Sequence, residues 1–290
     1  MLLSNDNPTF WLIQKAFASS TGVTTDTRTA DAGKLFFALK GANFNGNSFA
    51  HQALENGACY AVIDEVVNPT NDRFILVDNV LETLQALAHF HREQLGLPII
   101  ALTGSNGKTT TKELIHAVLK PHFKTVATVG NLNNHIGVPL TLLSMNAETE
   151  VGIIEMGANR ANEIALLCSI AKPNVGHITN FGKAHLEGFG SEQGVILAKS
   201  ELYDYLKANK GLIIMNSDDT KQEKQVGRYS NTFSFSEYKQ ASININLLDS
   251  QPFLNVSLVD TVIKTHLVGV YNFHNIAAAM AIGSYFKLTP

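Results

Sequence analysis

Along most of the chain, short continuous apolar runs alternate with longer stretches whose apolar residues recur every three or four positions. Leu35-Phe36-Phe37-Ala38-Leu39, Tyr60-Ala61-Val62-Ile63 and Phe74-Ile75-Leu76-Val77 read as buried strands. Between the first two, the pattern predicts a helix over 49–56, stopped by Gly57. Leu84, Leu87, Ala88 and Leu95 then share one face of a helix predicted over 80–95, which Gly96 terminates. Leu97-Pro98 marks a boundary, because proline disfavours helix in the residue before it and can open a strand. Two domains are therefore expected, 1–96 and 97–290.

The second domain opens on the apolar strand Ile99-Ile100-Ala101-Leu102-Thr103, followed by a glycine turn and a helix predicted over 110–119. Further strands are expected at Val151-Gly152-Ile153-Ile154-Glu155, over 175–180, and at Leu212-Ile213-Ile214-Met215-Asn216. Helices are expected between them over 162–171 and 194–206. Strand alternating with helix predicts a mostly parallel sheet with crossover connections. That rhythm breaks over 243–268, where Ile243, Ile245 and Leu247, then Leu254, Val256 and Leu258, alternate with other residues as in an antiparallel patch. An alanine-rich helix is expected over 275–286. The fold class expected is α/β, a small α/β domain followed by a larger, mostly parallel-sheet domain with an antiparallel patch.

Composition narrows the class. Hydrophobic residues make up 45% and charged residues 16% of the 290, which excludes intrinsic disorder. A net charge of −3 supplies no general basic field for nucleic acid or an anionic membrane. No apolar run approaches the ~18 residues of a membrane span, and the first residues lack the charged and apolar regions of a signal peptide. Cys59 and Cys168 sit among apolar neighbours and read as reduced, buried thiols. A cytoplasmic monomer without membrane insertion or nucleic-acid partner is the expectation.

The densest chemistry lies in Thr103-Gly104-Ser105-Asn106-Gly107-Lys108-Thr109-Thr110, between a buried strand and a helix. Glycines there turn backbone N–H groups around phosphate oxygens, Lys108 can reach the β/γ-phosphates and the Thr109 hydroxyl can ligate Mg²⁺. The loop is short: Gly104 lies three positions before Gly107, and Leu102 stands where the general pattern has glycine. Glu155 ends a strand at the sheet's carboxyl edge, where it can hold Mg²⁺ or cap the turn before Gly157. His185 lies just past the next strand, as a metal ligand or a surface hydrogen-bonding group. On the helix over 194–206, Val195, Lys199, Leu202 and Leu206 are spaced 4, 3, 4, so Lys199 falls on the apolar stripe. A lysine there must snorkel, pair or lose its proton.

The run over 103–113 resembles the ATP loop of the Mur ligase family, which shares its central domain with folylpolyglutamate synthetase. The likeness extends to Gly130-Asn131-Leu132-Asn133-Asn134-His135-Ile136-Gly137-Val138-Pro139, to Glu155-Met156-Gly157-Ala158-Asn159, to Ile178-Thr179-Asn180 and to Ala184-His185-Leu186-Glu187-Gly188-Phe189-Gly190-Ser191. Those runs are similar to the branch that adds D-alanyl-D-alanine to a UDP-N-acetylmuramoyl tripeptide in peptidoglycan precursor synthesis. The resemblance implies ATP and Mg²⁺ as cofactors, with Gly104, Ser105, Asn106, Gly107, Lys108, Thr109 and Thr110 around the phosphates. Lys108, Glu155, His185 and Lys199 are implied as catalytic, and Thr109, Glu155, His185 and a carbamylated Lys199 as metal ligands. Asn272 and Asn275 match the segment near the adenine, with Asn275 also a candidate N-cap. Thr27, Arg28, Asn45 and Gly46 match the UDP-sugar segments, although those residue types equally suit a turn-rich surface. Asn133, Asn134 and His135 are the remaining implied substrate residues.

The implied reaction is ATP-dependent amide formation through an acyl phosphate. The family has three domains, and the chain stops at Leu288-Thr289-Pro290 after the second, so truncation with impaired activity is expected. Another amino-acid-adding or folate-type ligase, and a non-catalytic nucleotide-binding module, are the competing expectations.

Overall fold

The structure is a computed structural model that describes residues 7–29, 33–182 and 186–289. The chain separates into two compact units, Met1–Gly96 with Pro139–Asn146, and Leu97–Val138 with Ala147–Pro290.

The first unit opens on helix α1 (Pro8–Ala18), which the sequence pattern did not predict. Asn7 caps it, its Oδ1 accepting the N–H groups of Thr9 and Phe10 at 2.9 and 3.2 Å. Strands β1 (Val23–Thr24) and β2 (Leu35–Phe37) are followed by a small hairpin of β3 (Lys40–Gly41) and β4 (Phe44–Asn45). Helix α2 (Ala50–Glu55), strands β5 (Tyr60–Ile63) and β6 (Phe74–Leu76) and helix α3 (Val80–Leu95) complete the order. A parallel sheet runs β1-β2-β5-β6. Phe36, Ala38, Ala53 and Ile63 fill the core between it and α2. Helix α3 occupies the expected span; Asn79 accepts the Glu82 N–H at its start, and Gly96 ends it at φ 62°. Strand β2 is shorter than expected. At Ala38 and Leu39 the chain turns against Gly46, whose N–H donates to the Leu39 carbonyl at 2.9 Å.

The second unit is built on a nine-stranded sheet. Its strands are β7 (Ile99–Thr103), β8 (Thr125–Ala127), β9 (Val151–Glu155), β10 (Val175–Ile178), β11 (Leu212–Asn216), β12 (Thr232–Ser236), β13 (Ile243–Asp249), β14 (Asn255–Leu258) and β15 (Thr261–Lys264). Their spatial order is β15-β14-β13-β12-β11-β10-β7-β9-β8. From β8 to β13 every pairing is parallel, whereas β13-β14-β15 is antiparallel, as the period-two pattern implied. The helices are α4 (Lys108–Leu119), α5 (Gly137–Leu143), α6 (Glu163–Ala171), α7 (Leu186–Phe189), α8 (Glu192–Ala208), α9 (Thr220–Val226) and α10 (Phe273–Tyr285). Helix α5 begins in this unit, and from Pro139 its residues group with the first. Strands β7, β9, β10 and β11 are buried on both faces, which is why β7, β9 and β11 read as near-continuous apolar runs. Alanines 277, 278, 279 and 281 let α10 pack closely onto α4 and the sheet. The sequence pattern missed β8, β12, α5 and α9, none longer than 7 residues. Among the described residues no helix is long and apolar enough to cross a membrane. Cys168 is buried, but Cys59 is only half-buried, its Sγ donating to the Lys34 carbonyl at 3.3 Å, which corrects the expectation of two buried thiols.

Candidate active site

Strand β7 is central, and the chain leaves it toward β8 and β9 on one side and later toward β10 on the other. A parallel sheet opens a crevice at the carboxyl ends where connections diverge in this way. The loop over 104–107 occupies that position. Gly104 stands at φ 146°, where a Cβ would overlap the Thr179 hydroxyl, and Gly107 at φ 78°, where a Cβ would lie 2.6 Å from Asn275 Oδ1. The loop is braced from β10. The Ser105 N–H donates to the Asn180 carbonyl at 3.1 Å and the Thr179 hydroxyl to the Asn106 carbonyl at 2.6 Å. Ser105 Oγ donates to the Gly182 carbonyl at 2.9 Å. Strand β10 ends at Ile178, two residues short of expectation: the Thr179 N–H still donates to the Thr103 carbonyl at 2.9 Å, but the Thr179 hydroxyl and the Asn180 carbonyl are turned to holding the loop.

Helix α4 starts at Lys108, two residues earlier than expected, with Gly107 as N-cap, so its first N–H groups open beside the loop. Thr109 and Thr110 follow in that first turn, and the Thr111 hydroxyl donates to Asn275 Oδ1 at 3.1 Å. Asn275 Nδ2 donates to Asn272 Oδ1 at 2.9 Å, and Asn272 Nδ2 to the Val268 carbonyl at the same distance. Asn275 is therefore not the N-cap. Helix α10 begins at Phe273, and Asn275 turns its carboxamide sideways onto the phosphate-loop helix.

Lys108 Nζ lies against the loop, donating to the carbonyls of Gly104 at 2.9 Å and Ser105 at 3.4 Å. Desolvation lowers its pKa, opposed by the charge of Glu155. Glu155 is 1% exposed. Its Oε1 accepts from Thr109 Oγ1 at 3.3 Å and Asn133 Nδ2 at 2.9 Å, while its Oε2 is buried without a hydrogen-bond partner among the described residues. A buried carboxylate oxygen left bare is costly unless a cation meets it. With the Thr109 hydroxyl alongside, the donors are oxygen only, the kind that suits Mg²⁺ completing its shell with phosphate and water. Among the described residues no three of His, Cys, Asp and Glu converge as a metal cluster. His185, another of the expected metal ligands, lies outside the described residues.

The stripe expected on α8 is buried throughout: Val195, Lys199, Leu202 and Leu206 are each at most 1% exposed. Lys199 Nζ donates to the Ala158 carbonyl at 3.3 Å and lies 5.4 Å from the centre of the Phe189 ring. Among the described residues no carboxylate pairs with it directly. Desolvation, aided by the Lys108 charge, lowers its pKa to about 8, although Glu163 and Glu201 oppose the shift.

A cavity of about 490 Å³ opens beside Lys108, lined by Asn131, Asn133, Asn134, His135, Ala158, Asn159 and Glu163, with Leu166 and Leu167 as an apolar wall. Asn134 Oδ1 accepts the N–H groups of Ile136 and Gly137 at 3.0 and 2.9 Å, so its side chain also shapes the entry to α5. The residues over 131–135 thus share a cavity with the phosphate-loop lysine. In the first unit, Arg28 forms a double-pronged pair with Asp26, its Nη2 lying 2.7 Å from Oδ2, and holds that carboxyl down at about 2. The Thr27 carbonyl accepts from Asn56 Nδ2 at 2.9 Å. Asn45 Oδ1 accepts from the Asn47 N–H at 3.0 Å, and Asn45 Nδ2 donates to Glu65. Gly46 is buried where a Cβ would press on the Ala38 backbone at 2.5 Å.

Two residues of this region were not singled out from the sequence. Lys112 is 0% exposed, and its Nζ donates to the Thr128 carbonyl at 2.6 Å. Thr128 Oγ1 in turn accepts the Glu155 N–H at 3.0 Å. The signal for Lys112 was present: with Ile115 and Leu119 it is spaced 3, 4 on the buried stripe of α4, the same anomaly that exposed Lys199.

The profile of the Mur ligase middle domain matches residues 102–283, and that of the Mur ligase family catalytic domain matches residues 19–92. The chain belongs to the Mur ligase family. Among its relatives, the UDP-N-acetylmuramoyl-tripeptide–D-alanyl-D-alanine ligase of Bacillus subtilis is 37% identical over 93% of this chain and 59% of its own length. The enzyme of the same name from Escherichia coli is 36% identical, over 93% of this chain and 61% of its own. The chain thus spans about three-fifths of the curated Mur ligases it matches. The crystal structure of MurF from Acinetobacter baumannii superposes with a TM-score of 0.84 at 31% identity, covering 96% of this chain and 65% of that one. That of MurF ligase from Thermotoga maritima in complex with ADP gives 0.80 at 31% identity, covering 94% and 64%. The expected family and α/β architecture are those of these Mur ligase structures.

Proposed function

We propose that this Mur ligase chain takes part in ATP-dependent amide formation, joining D-alanyl-D-alanine to a UDP-N-acetylmuramoyl tripeptide in peptidoglycan precursor synthesis. The observation that carries the reading is Glu155, a buried carboxylate whose Oε1 accepts from the Thr109 hydroxyl beside Lys108 while its Oε2 has no hydrogen-bond partner among the described residues. It is supported by the names of relatives 36–37% identical over 93% of the chain. On this reading ATP places its phosphates on the N–H groups of 104–110, and Lys108 exchanges its loop carbonyls for the β/γ-phosphate oxygens. Asn272 and Asn275 hold the far side of the phosphate helix, toward the nucleoside.

The tripeptide's terminal carboxylate lies in the cavity over 131–135 and attacks the γ-phosphate, releasing ADP and leaving an acyl phosphate. The dipeptide's amine then adds to the acyl carbon and gives up a proton to solvent, and inorganic phosphate departs as the C–O bond breaks. Both steps bring anions together, so the work of the chain is neutralisation and alignment. Lys108 places positive charge on the phosphates, and Asn133 and Thr109 fix the rotamer of Glu155. When Mg²⁺ is bound it neutralises phosphate charge, with Glu155, Thr109 and His185 as its protein ligands.

Lys199 is proposed to react as the neutral amine with CO₂, releasing one proton and gaining a carbamate oxygen for a second Mg²⁺. Thr27, Arg28, Asn45 and Gly46 are proposed for the UDP-sugar, a guanidinium suiting a pyrophosphate. Domain roles follow: UDP-sugar recognition in 1–96 and ATP binding in 97–290.

The test is calorimetry of this chain with Mg-ATP and with the UDP-linked tripeptide, followed by product analysis with D-alanyl-D-alanine and other amines. Binding of both ligands, with any product restricted to the dipeptide adduct, is expected. Binding of a shorter UDP-linked peptide in preference to the tripeptide, or product with a single amino acid, would overturn it.

A further inference from the structure

The loop over 128–133 is closed on Glu155 at both ends. Behind the carboxylate, the Thr128 hydroxyl accepts the Glu155 N–H at 3.0 Å; in front, Asn133 Nδ2 donates to Glu155 Oε1 at 2.9 Å. The Gly157 N–H also donates to the Asn133 carbonyl at 2.7 Å, and a Cβ at Gly157 would press the Asn133 amide at 2.8 Å. The front end is thus packed with no slack. The back end depends on the Thr128 carbonyl, which receives the ammonium of Lys112 at 2.6 Å. Lys112 has no other reason to be buried. Its side chain is 0% exposed, and its charge partner Glu113, at 2.8 Å, is 61% exposed. An ion pair with one partner in water returns little of the desolvation cost of the other.

We propose that Lys112 is a positioning residue for the candidate metal carboxylate: it pins the Thr128 peptide, and through the loop over 128–133 it sets Asn133 and the rotamer of Glu155. The inference rests on the reading of Glu155 as an Mg²⁺ ligand. A neutral side chain of similar length would fill the same space, so packing alone does not call for the charge. Fixing one carbonyl with a short, charge-assisted bond does. Lys112 also sits one helical turn beyond Lys108, so a single helix carries both the group that meets phosphate and the group that aligns the carboxylate beside it.

The test compares Lys112→Met with the wild-type chain by two readouts. In the metal-free protein, amide hydrogen exchange over 129–135 should quicken in the variant while exchange in β7, β10 and β11 stays unchanged. In calorimetry, the gain in ATP affinity that Mg²⁺ provides should fall about tenfold, the scale of losing a group that orients a metal ligand. Affinity for ATP without Mg²⁺ should change little. Lys112→Gln, which keeps a donor, should recover part of the loss, and it substitutes for Lys112→Met if that variant does not fold. Equal weakening of ATP with and without Mg²⁺, or faster exchange throughout the sheet, would reduce Lys112 to a general structural role and overturn the proposal. Glu155→Gln separates the two levels. If Glu155→Gln abolishes the Mg²⁺ effect and Lys112→Met leaves it intact, the positioning role fails alone; if Glu155→Gln leaves it intact, the metal reading itself fails.

Discussion

The phosphate-loop region and the segment over 26–47 are both rich in polar residues, yet they are built in opposite senses. Around the loop, polar groups are taken out of water and fixed before any ligand arrives. Glu155, Lys112, Lys199, Thr111 and Asn275 are all buried, and each holds a hydrogen-bond partner from another segment of the chain. Over 26–47 the prominent charge faces outward: the Arg28 side chain is 87% exposed and pairs with a residue two positions away. The contrast is one of preorganisation. A desolvated, cross-braced site holds strong local fields and spends no ordering entropy on its ligand. An exposed guanidinium keeps its solvation until contact and exchanges one partner for another. Substitutions of the buried, cross-braced groups in the first region should therefore alter ligand binding and stability together, whereas those of groups with only local partners, Lys108 in the loop and Arg28 in the second region, should alter binding alone.

Three experiments would sharpen that contrast or break it. Lys108→Ala should have the largest effect, reducing ATP affinity by roughly a hundredfold, the upper range for hydrogen bonds to a charged group. Its loop bonds are to carbonyls of residues three and four positions away, so Tm should change little. Equal ATP affinity in both proteins by calorimetry would remove the loop from nucleotide binding.

Lys199 comes next. Its folded pKa is about 8 against an ordinary 10.5, so between those values the unfolded chain binds more protons than the folded one. Stability should then rise with pH across that window, by at most about 3 kcal/mol, with the penalty fully present below it. Lys199→Met should flatten the rise in denaturant titrations and be the more stable protein near neutrality. With ¹³C-bicarbonate, a carbamate resonance should appear in the wild type and vanish in the variant. An unchanged pH slope in Lys199→Met would mean that Lys199 is charged and hydrated in the fold.

The smallest effect is expected at Arg28. Arg28→Ala should weaken the UDP-linked tripeptide by about tenfold, with ATP affinity and Tm unaltered because its ion pair is local and exposed. If both ligands weakened together, the division into an outward and an inward site would fail.

Much of the second unit could be read from residue order because its central strands are buried on both faces. Ile99–Thr103, Val151–Glu155 and Leu212–Asn216 have the spans that their apolar runs predicted. Helix α3 was equally plain, since Asn79, the apolar stripe and Gly96 supply a start, a face and a stop. The misses share one cause. Strand β8 is half-buried along its length, and β12 alternates Thr232, Ser234 and Ser236 with its two phenylalanines, so neither has the composition of a buried run. Within the candidate site, the expected residues 104–109, 133–135 and 155 come together in one unit, with Lys199 near Lys108 in charge if not in contact. Lys112 went unread because a lysine followed by glutamate on a helix resembles any solvated pair.

The sequence by itself determined what short-range order can carry: the strand–glycine–helix loop, the periodicity of each long element, and the anomaly of a lysine on an apolar stripe. Those features lie within a few residues of one another, and local sterics and burial dictate them. Only the tertiary structure decided which strands are neighbours, and so that Thr179, Asn180 and Asn275 brace the phosphate loop. It alone decided that Glu155 keeps one oxygen bare and that Thr128 joins Lys112 to it. Those contacts join residues 16 to 164 positions apart, and their geometry follows from the packing of the whole sheet.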